Sequence, residues 1–563
     1  MMMATLMAVC LNMNAAEPAE SYKKAGLGNP ISASVFCADP TAVEYNGRLY
    51  VYGTNDHQQF LVNGKKGSND YGAIKSLVVF STDDMVNWTF HGTINAGQIC
   101  NGWIAASWAP SICYRELEDG TPEFFLYFAN SGGSVGVMKS NSPVGPFTSP
   151  RKSPMITGST AGVSPCSWVF DPGVVIDENG TGWIAFGGGD PNKKGTDLQP
   201  NNACIAKLQP SMTAIDGKAV KLPAPYHFEA SELNIMNGKF VYTYCSSWKD
   251  RNAWSQYSST YQAPDKCTMC YMTTDTPLEP TSWEYKGQYF ANPGSMGYNT
   301  SNNHTHLHKY EGKYYLFYHT TALEQKMNTG ASGFRSIGVN AASVKEDEAT
   351  ISKVTANNSG VTTMKKLNPY ILQEAETMGT SGGVTYEDFI NIMKISSNPL
   401  GNDAAREMMV KMNAGAWTMV RKADFGSKGA AKFRFRAKGT GTMTLRLDAI
   451  ASVYSTSMDF SSTNFQYFTI DLDHTFFNGD HSTFFFFPEA TNVYFDNWQF
   501  FRYGDLNCDG QIDVGDIMYI INFMIENSQT EMAEGTKADA DLNDDGKVDV
   551  GDIMTIINLM SEK

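Results

Sequence analysis

Two aspartates, a glutamate and a histidine fall at the same place in a phrase that the sequence repeats. The phrase runs ADPTAVEYNGRLYVY from Ala38, WAPSICYRELEDGTPEFFLYF from Trp108, FDPGVVIDENGTGWIAF from Phe170, FEASELNIMNGKFVYTY from Phe228 and NHTHLHKYEGKYYLFYH from Asn303. Aligned on their turns, these segments bring Asp39, Asp171, Glu229 and His304 into register, eight or nine residues before the turn glycine. Carboxylates gathered in one pocket can divide the work of acid and base when their surroundings push their pKa values apart.

A different chemistry stands near the C-terminus, in DLNCDGQIDVGD from Asp505 and its near-copy DLNDDGKVDVGD from Asp541. Loop positions 1, 3, 5, 9 and 12 carry side-chain oxygens: Asp505, Asn507, Asp509, Asp513 and Asp516, then Asp541, Asn543, Asp545, Asp549 and Asp552. Gln511 and Lys547, at position 7, complete each set through the main chain, and position 6 is glycine. This spacing wraps oxygens around a hard cation and turns sharply at the glycine, so one Ca²⁺ is expected in each loop. The twelfth residue is Asp, not the bidentate Glu of paired-helix calcium sensors.

The elements that must hold these residues follow from the patterning. Alternating apolar runs on either side of a tight turn form β-hairpins. Repetition of such small all-β units predicts a five-bladed β-propeller over 26–368, whose innermost strands face one axis and converge the four titratable residues. Strands such as SLVVFSTDDMVNW, with Trp88 as blade packing, fit the outer hairpins, whereas 55–71 and 248–266 read as loops over one face. Glu232 is out of step with Glu229 on its strand and should face away from the pocket; His306 shares the face of His304. From 371 to 503 the pattern changes to short-spaced alternating strands, including AKFRFRAKGTGTMTLRLDAI read as a hairpin about Gly-Thr, which predicts a β-sandwich with Phe484–Phe487 in its core. Residues 504–561 form a small α-helical calcium-binding module, each loop leading into an apolar helix. The expected fold class is therefore all-β apart from that last module.

A net charge of −15 over 563 residues excludes nucleic acid and anionic membrane surfaces as natural partners. No stretch is long enough to span a bilayer. The apolar N-terminus followed by Ala15 and Ala16 reads as a signal peptide over 1–16, placing the protein outside the cell or on its surface. Ten cysteines are too scattered for a disulfide scaffold, and Cys267 and Cys270 read as two strand residues, not a metal site.

The calcium loops resemble a dockerin, which implies a cohesin-type partner. The motifs NPISASVFCADP, SWAPSI, FDPGVVIDENG, FEASELNIMNGKFVYTY and NNHTHLHKYEGKYYLFYH resemble family 43 glycoside hydrolases, five-bladed inverting enzymes acting on arabinose- or xylose-containing polymers. That resemblance implies Asp39 as general base, Glu229 as general acid and Asp171 as the residue that orients the acid and tunes its pKa. It implies an axial metal- or water-binding role for His304, with a Ca²⁺ at the propeller axis, and a substrate contact for Arg335 in GFRSIGV. Trp108 reads either as a sugar-stacking wall or as a blade contact. The middle region, through QEAETM, WTMVRKADFG and FDNWQFF, resembles family 6 carbohydrate-binding modules and implies a structural Ca²⁺ near Glu374 and Glu376; Asn497 stands where that family has Asp, and Phe495 replaces its ligand-binding Asn. The expected activity is release of α-L-arabinofuranosyl residues from arabinoxylan or related hemicellulose. β-Xylosidase activity is the alternative within the class, and a non-catalytic carbohydrate-binding propeller the alternative outside it.

Overall fold

Every repeated phrase supplies the inner strands of a small antiparallel sheet. The computed structural model describes residues 15–189, 198–361, 365–391, 408–527, 540–543 and 545–561; the expected signal peptide lies almost wholly outside them. Blade I is built of Ala38–Tyr45, Arg48–Thr54, Leu77–Thr82 and Trp88–Ile94, and blade II of Trp108–Glu116, Pro122–Asn130, Ser134–Ser140 and Ile156–Thr157. Blade III contains Gly173–Ile176, Gly182–Gly187, Ala203–Lys207 and Val220–Lys221. Blade IV contains His227–Met236, Lys239–Ser246, Met269–Thr274 and Glu284–Phe290, and blade V Thr305–Tyr310, Lys313–Thr320 and Ser336–Ala342.

The ring follows from where these sheets bury their apolar faces. Each pair of neighbouring blades shares one apolar cluster: Leu77 with Phe124, Phe125 with Phe186, Ile205 with Tyr242, Met269 with Leu316, and Phe317 with Val51, which brings blade V back to blade I. Trp88 belongs to that last cluster, as expected of blade packing. Side chains also stitch inner strands together. The Ile112 N–H donates to Thr41 Oγ1 (3.3 Å) and the Val174 N–H to Ser111 Oγ (3.0 Å). Inner strands approach so closely that a Cβ on Gly173 would stand 2.4 Å from Cα of Glu232. The segment before blade I closes the circle on the outer strand of blade V. There the Ile31 N–H meets Ile337 O (2.9 Å), and the Asn29 amide imitates a strand residue, donating to Val339 O (3.0 Å) and accepting from its N–H (2.9 Å).

Downstream, eight strands form one sheet that curls into a sandwich-like module. Its longest strand, Asp480–Arg502, pairs with Ala430–Leu447 along its length and with Trp417–Asp424 and Met408–Met412 in turn. All four residues of Phe484–Phe487 are buried; Phe485 and Phe487 enter the main core, while Phe484 and Phe486 pack with Trp417 on the other face. The expected hairpin about Gly-Thr is absent. Ala430–Leu447 continues straight through, and Gly439 (φ 107°) marks a register shift where a Cβ would meet Asn492 O at 2.3 Å. Glycine here serves a β-bulge, not a turn. Thr377–Met378 pairs with Trp88–Ile94, so this module covers the outer edge of blade I. Helices Val514–Asn527 and Val550–Ser561 follow, packed through buried Ile520 and Ile556, while Ile557 is exposed.

Candidate active site

The inner strands of blades I to IV share an irregularity that alternation does not reveal. Asp39, Ala109, Asp171 and Ala230 all have positive φ (51°, 39°, 46° and 61°), and pairing registers shift after Ala38, Trp108 and Glu229. At Asp39, Ala109 and Ala230 this is a bulge that re-aims side chains at the mouth of the ring, and Asp171 takes the same positive-φ conformation just before its strand. The register inferred from turn glycines is thereby corrected: Asp39 and Asp171 occupy the positive-φ position, while Glu229 stands one residue before it. Bulge N–H groups are satisfied by the preceding blade, Ala109 by Thr54 Oγ1 (2.8 Å), Ala230 by Asp171 Oδ2 (2.9 Å) and Asp39 by His319 Nδ1 (3.2 Å).

Asp39, Asp171 and Glu229 meet in one cavity of about 530 Å³, together with Trp108, His304 and Arg335. Thus the sequence-identified residues of all five blades converge. The cavity has further walls that sequence reasoning missed: Tyr71, Trp168, Phe170 and Asn302. Trp168 stands three residues before Asp171 and is 39 % exposed, braced edge-on by Phe170 and Phe228. Trp108 is a cavity wall, its Nε1 donating to Tyr71 O at 3.2 Å. Of the two expected loops, 55–71 contributes Tyr71, but 248–266 does not line the cavity; Trp254 is buried against Tyr226, Tyr257 and Tyr285.

The three carboxyls differ in their surroundings. Asp39 accepts from Arg335 Nη1 at 2.8 Å and from the Thr54 hydroxyl at 2.7 Å. Burial alone would raise its pKa; the Arg335 guanidinium outweighs burial and holds it well below the usual carboxylate range. Arg335 is itself fixed by a two-pronged pair with buried Asp56, at 2.9 and 2.8 Å, and by Asn302 Oδ1 at 3.2 Å. The guanidinium also borders the cavity, and its bonds to Asp56, Asp39 and Asn302 make it the counter-ion of Asp39. His319 Nε2 lies 2.9 Å from Asn302 O and can only donate there, leaving Nδ1 to accept the Asp39 N–H in the neutral ring.

Asp171 is pushed up to about 7 by burial and then by the Asp39 charge. Glu229 is raised well above the ordinary range, first by burial and second by Asp171; its Oε1 is buried without a hydrogen-bond partner. Like-charge repulsion therefore acts as expected but comes second to desolvation. Glu232 lies outside the cavity and accepts from His306 Nδ1 at 2.9 Å, as its alternation required. His304 borders the cavity with Nδ1 3.7 Å from Asp39 Oδ1; burial lowers its pKa to about 4, so it is neutral. Cys270 lies in a strand, but Cys267 precedes it at φ 50° and turns its sulfur to within 3.5 Å of Cys245, which corrects the reading of both as strand residues.

A cavity of about 560 Å³ lies where the sandwich-like module meets the C-terminal loops, bordered by Tyr370, Phe425, Arg502 and Gln511. Its acid, Asp424, is paired with Lys366 at 3.3 Å, so the chemistry belongs to the propeller cavity. In the C-terminal loops, both oxygens of Asp505 accept from main-chain N–H groups of Asp509 and Gly510, and Asp516 receives those of Leu506, Asn507 and Asp513. Asp541 and Asp552 repeat this pattern. Burial, with repulsion from Asp516 and Asp509, raises Asp505 to about 6, as expected of an oxygen cage built for a cation. In the sandwich-like module Glu376 is buried with Oε1 unpartnered, beside Glu374 and Asp496; the acid near Asn497 is its neighbour Asp496.

The chain is similar to known proteins over most of its length. Residues 27–348 match the model of glycosyl hydrolases family 43, and residues 503–561 match the dockerin type I domain. An arabinoxylan arabinofuranohydrolase of Bacillus subtilis (strain 168) is 34 % identical over 520 residues, covering 88 % of this chain and 97 % of that protein. An arabinoxylan arabinofuranohydrolase of Paenibacillus polymyxa is 32 % identical, covering 84 % and 74 % respectively. The crystal structure of the Bacillus subtilis family 43 arabinoxylan arabinofuranohydrolase in complex with cellotetraose superposes with a TM-score of 0.76 at 32 % identity, over 86 % of this chain and 99 % of that one. The carboxylates at the mouth of the ring and these matches lead to one conclusion: the chain belongs to glycosyl hydrolase family 43 and ends in a type I dockerin.

Proposed function

We propose that the protein is an inverting glycoside hydrolase that removes α-L-arabinofuranosyl residues from arabinoxylan or a related hemicellulose. The observation that carries this reading is the opposite tuning of two carboxyls in one cavity: Arg335 keeps Asp39 ionised, while burial keeps Glu229 protonated with a free Oε1. In this reading Asp39 removes a proton from a water that attacks the anomeric carbon. Glu229 protonates the departing glycosidic oxygen from the opposite side. Asp171 holds the bulge after Glu229 through the Ala230 N–H and keeps the acid protonated by its charge. Neutral His304 and the Trp108 and Trp168 rings offer a hydrogen bond and apolar faces to the sugar. The similarity to two arabinoxylan arabinofuranohydrolases supports arabinose as the group released.

Each dockerin loop holds one Ca²⁺, through Asp505, Asn507, Asp509, Gln511, Asp513 and Asp516 and through Asp541, Asn543, Asp545, Lys547, Asp549 and Asp552. A further Ca²⁺ at Glu374, Glu376 and Asp496 would satisfy the unpartnered Glu376 Oε1. The dockerin fits a cohesin-type partner outside the cell or at its surface. The test is chromatography of sugars released from arabinoxylan by purified protein and by Asp39→Asn. Free arabinose from the first and none from the second is the expected result. Xylose instead would move the assignment to β-xylosidase, and no sugar from any pentose polymer would leave a carbohydrate-binding propeller.

A further inference from the structure

Behind Glu229 lies a set of donors that hydrolysis does not use. Cys245, near the end of Lys239–Ser246, and Cys267, just before Met269–Thr274, bring their sulfurs to 3.5 Å. Both are fully buried, and Glu229, more than nine-tenths buried, aims an unpartnered Oε1 from the cavity wall. One ligand atom from each of the three residues lies within 4.8 Å of the other two. Two thiols and a carboxylate suit a thiophilic cation, unlike the all-oxygen dockerin loops. Tetrahedral zinc, with Zn–S bonds of about 2.3 Å, holds two sulfurs about 3.8 Å apart, close to the spacing already present. Access is from the cavity, because Glu229 borders it while the sulfurs are covered.

We propose that Cys245, Cys267 and Glu229 bind Zn²⁺, with a cavity water as fourth ligand, and that its binding stops hydrolysis. The two thiols release their protons to solvent as the Zn–S bonds form; Glu229 binds as a carboxylate, its proton also passing to solvent, and no electrons are transferred. Ligated Glu229 has no proton to give a leaving sugar. The inhibitory half rests on Glu229 being the acid, whereas the binding half does not.

The test uses the reduced full chain, with Ca²⁺ in excess so that the dockerin loops are filled. Co²⁺ stands in for Zn²⁺ as a spectroscopic probe, and Zn²⁺ is added during arabinose release from arabinoxylan. A thiolate-to-cobalt charge-transfer band saturating at one equivalent is expected. Zn²⁺ should lower the rate ~10²-fold or more, and a nitrogen-donor chelator that leaves Ca²⁺ bound should restore it. Cys245→Ser and Cys267→Ser should keep the uninhibited rate and lose both the band and the zinc sensitivity, whereas Cys166→Ser keeps both. If a serine variant fails to fold, Cys267→Ala supplies the comparison. No band in the wild type, a band that survives Cys245→Ser, or a native Cys245–Cys267 disulfide found by mass spectrometry would overturn the proposal. A band without inhibition would overturn its inhibitory half and count against Glu229 as the acid, so the two readings fail separately.

Discussion

Arg335 sets which of three neighbouring carboxyls carries the charge. Its guanidinium is buried between Asp39 and Asp56, and its hydrogen bonds leave Asp39 ionised despite burial. Arg335→Gln should therefore move the acid limb of the kcat/KM–pH profile upward, by about 1–3 pH units, because burial then acts on Asp39 unopposed. Asp56→Ala should cost about 3–5 kcal/mol in denaturant unfolding, since it leaves a buried guanidinium half paired. For Asp171→Asn the sign reverses. Removing a negative neighbour lowers the Glu229 pKa, so the alkaline limb should shift down, with the Ala230 N–H still accepted by the Asn carbonyl oxygen. Glu229→Ala should lose ~10²–10⁴-fold on arabinoxylan and far less on aryl arabinofuranosides, whose leaving groups depart without a proton. Asp39→Asn should lose rate on both alike. Asp39, Asp171, Glu229 and His304 were legible in the sequence because each stands eight or nine residues before a turn glycine, and Trp108 because it opens one of the repeated phrases. Asp56, His319 and Trp168 were not, since nothing in their local patterning marks them: Asp56 and His319 act through partners 279 and 280 residues away, and Trp168 through its place on the cavity wall.

Bulges and close strand approaches do at the level of elements what single charges do in the cavity. Thr54 links two blades by donating to Asp39 and accepting from the Ala109 N–H. Thr54→Val preserves the shape but leaves both partners unsatisfied, and should cost about 1–3 kcal/mol of stability together with rate. Gly173→Ala forces a Cβ against the main chain of Glu232, where no flexible side chain can yield. Its expected result is poor folding, or a loss of at least about 1–3 kcal/mol, read by urea titration; wild-type stability would contradict the close approach. The hairpins themselves were readable from alternation and turn residues. The bulges were not, because one extra residue leaves the apolar pattern on either side intact, as at Gly439, which resembles a turn and is part of a continuous strand.

At the scale of the whole molecule, the modules lean on one another to different degrees. The Thr377–Met378 pairing covers an edge of blade I, so a chain ending at Asn368 should show a propeller melting temperature several degrees below that of the full chain, measured by calorimetry. Chelation of Ca²⁺ should lower the dockerin transition in calorimetry, because the loops' carboxylates repel each other without a cation. The sequence by itself determined the periodic parts of this protein: five hairpin phrases, two calcium loops and three acidic residues at one recurring place, all of which depend on spacing along the chain. Only the tertiary structure decided which carboxyl is ionised and which protonated. Asp39 meets an arginine 296 residues away, and Glu229 owes its proton chiefly to desolvation within the folded ring. Burial and distance across the propeller axis are properties of the closed ring, and no segment of the chain carries them alone.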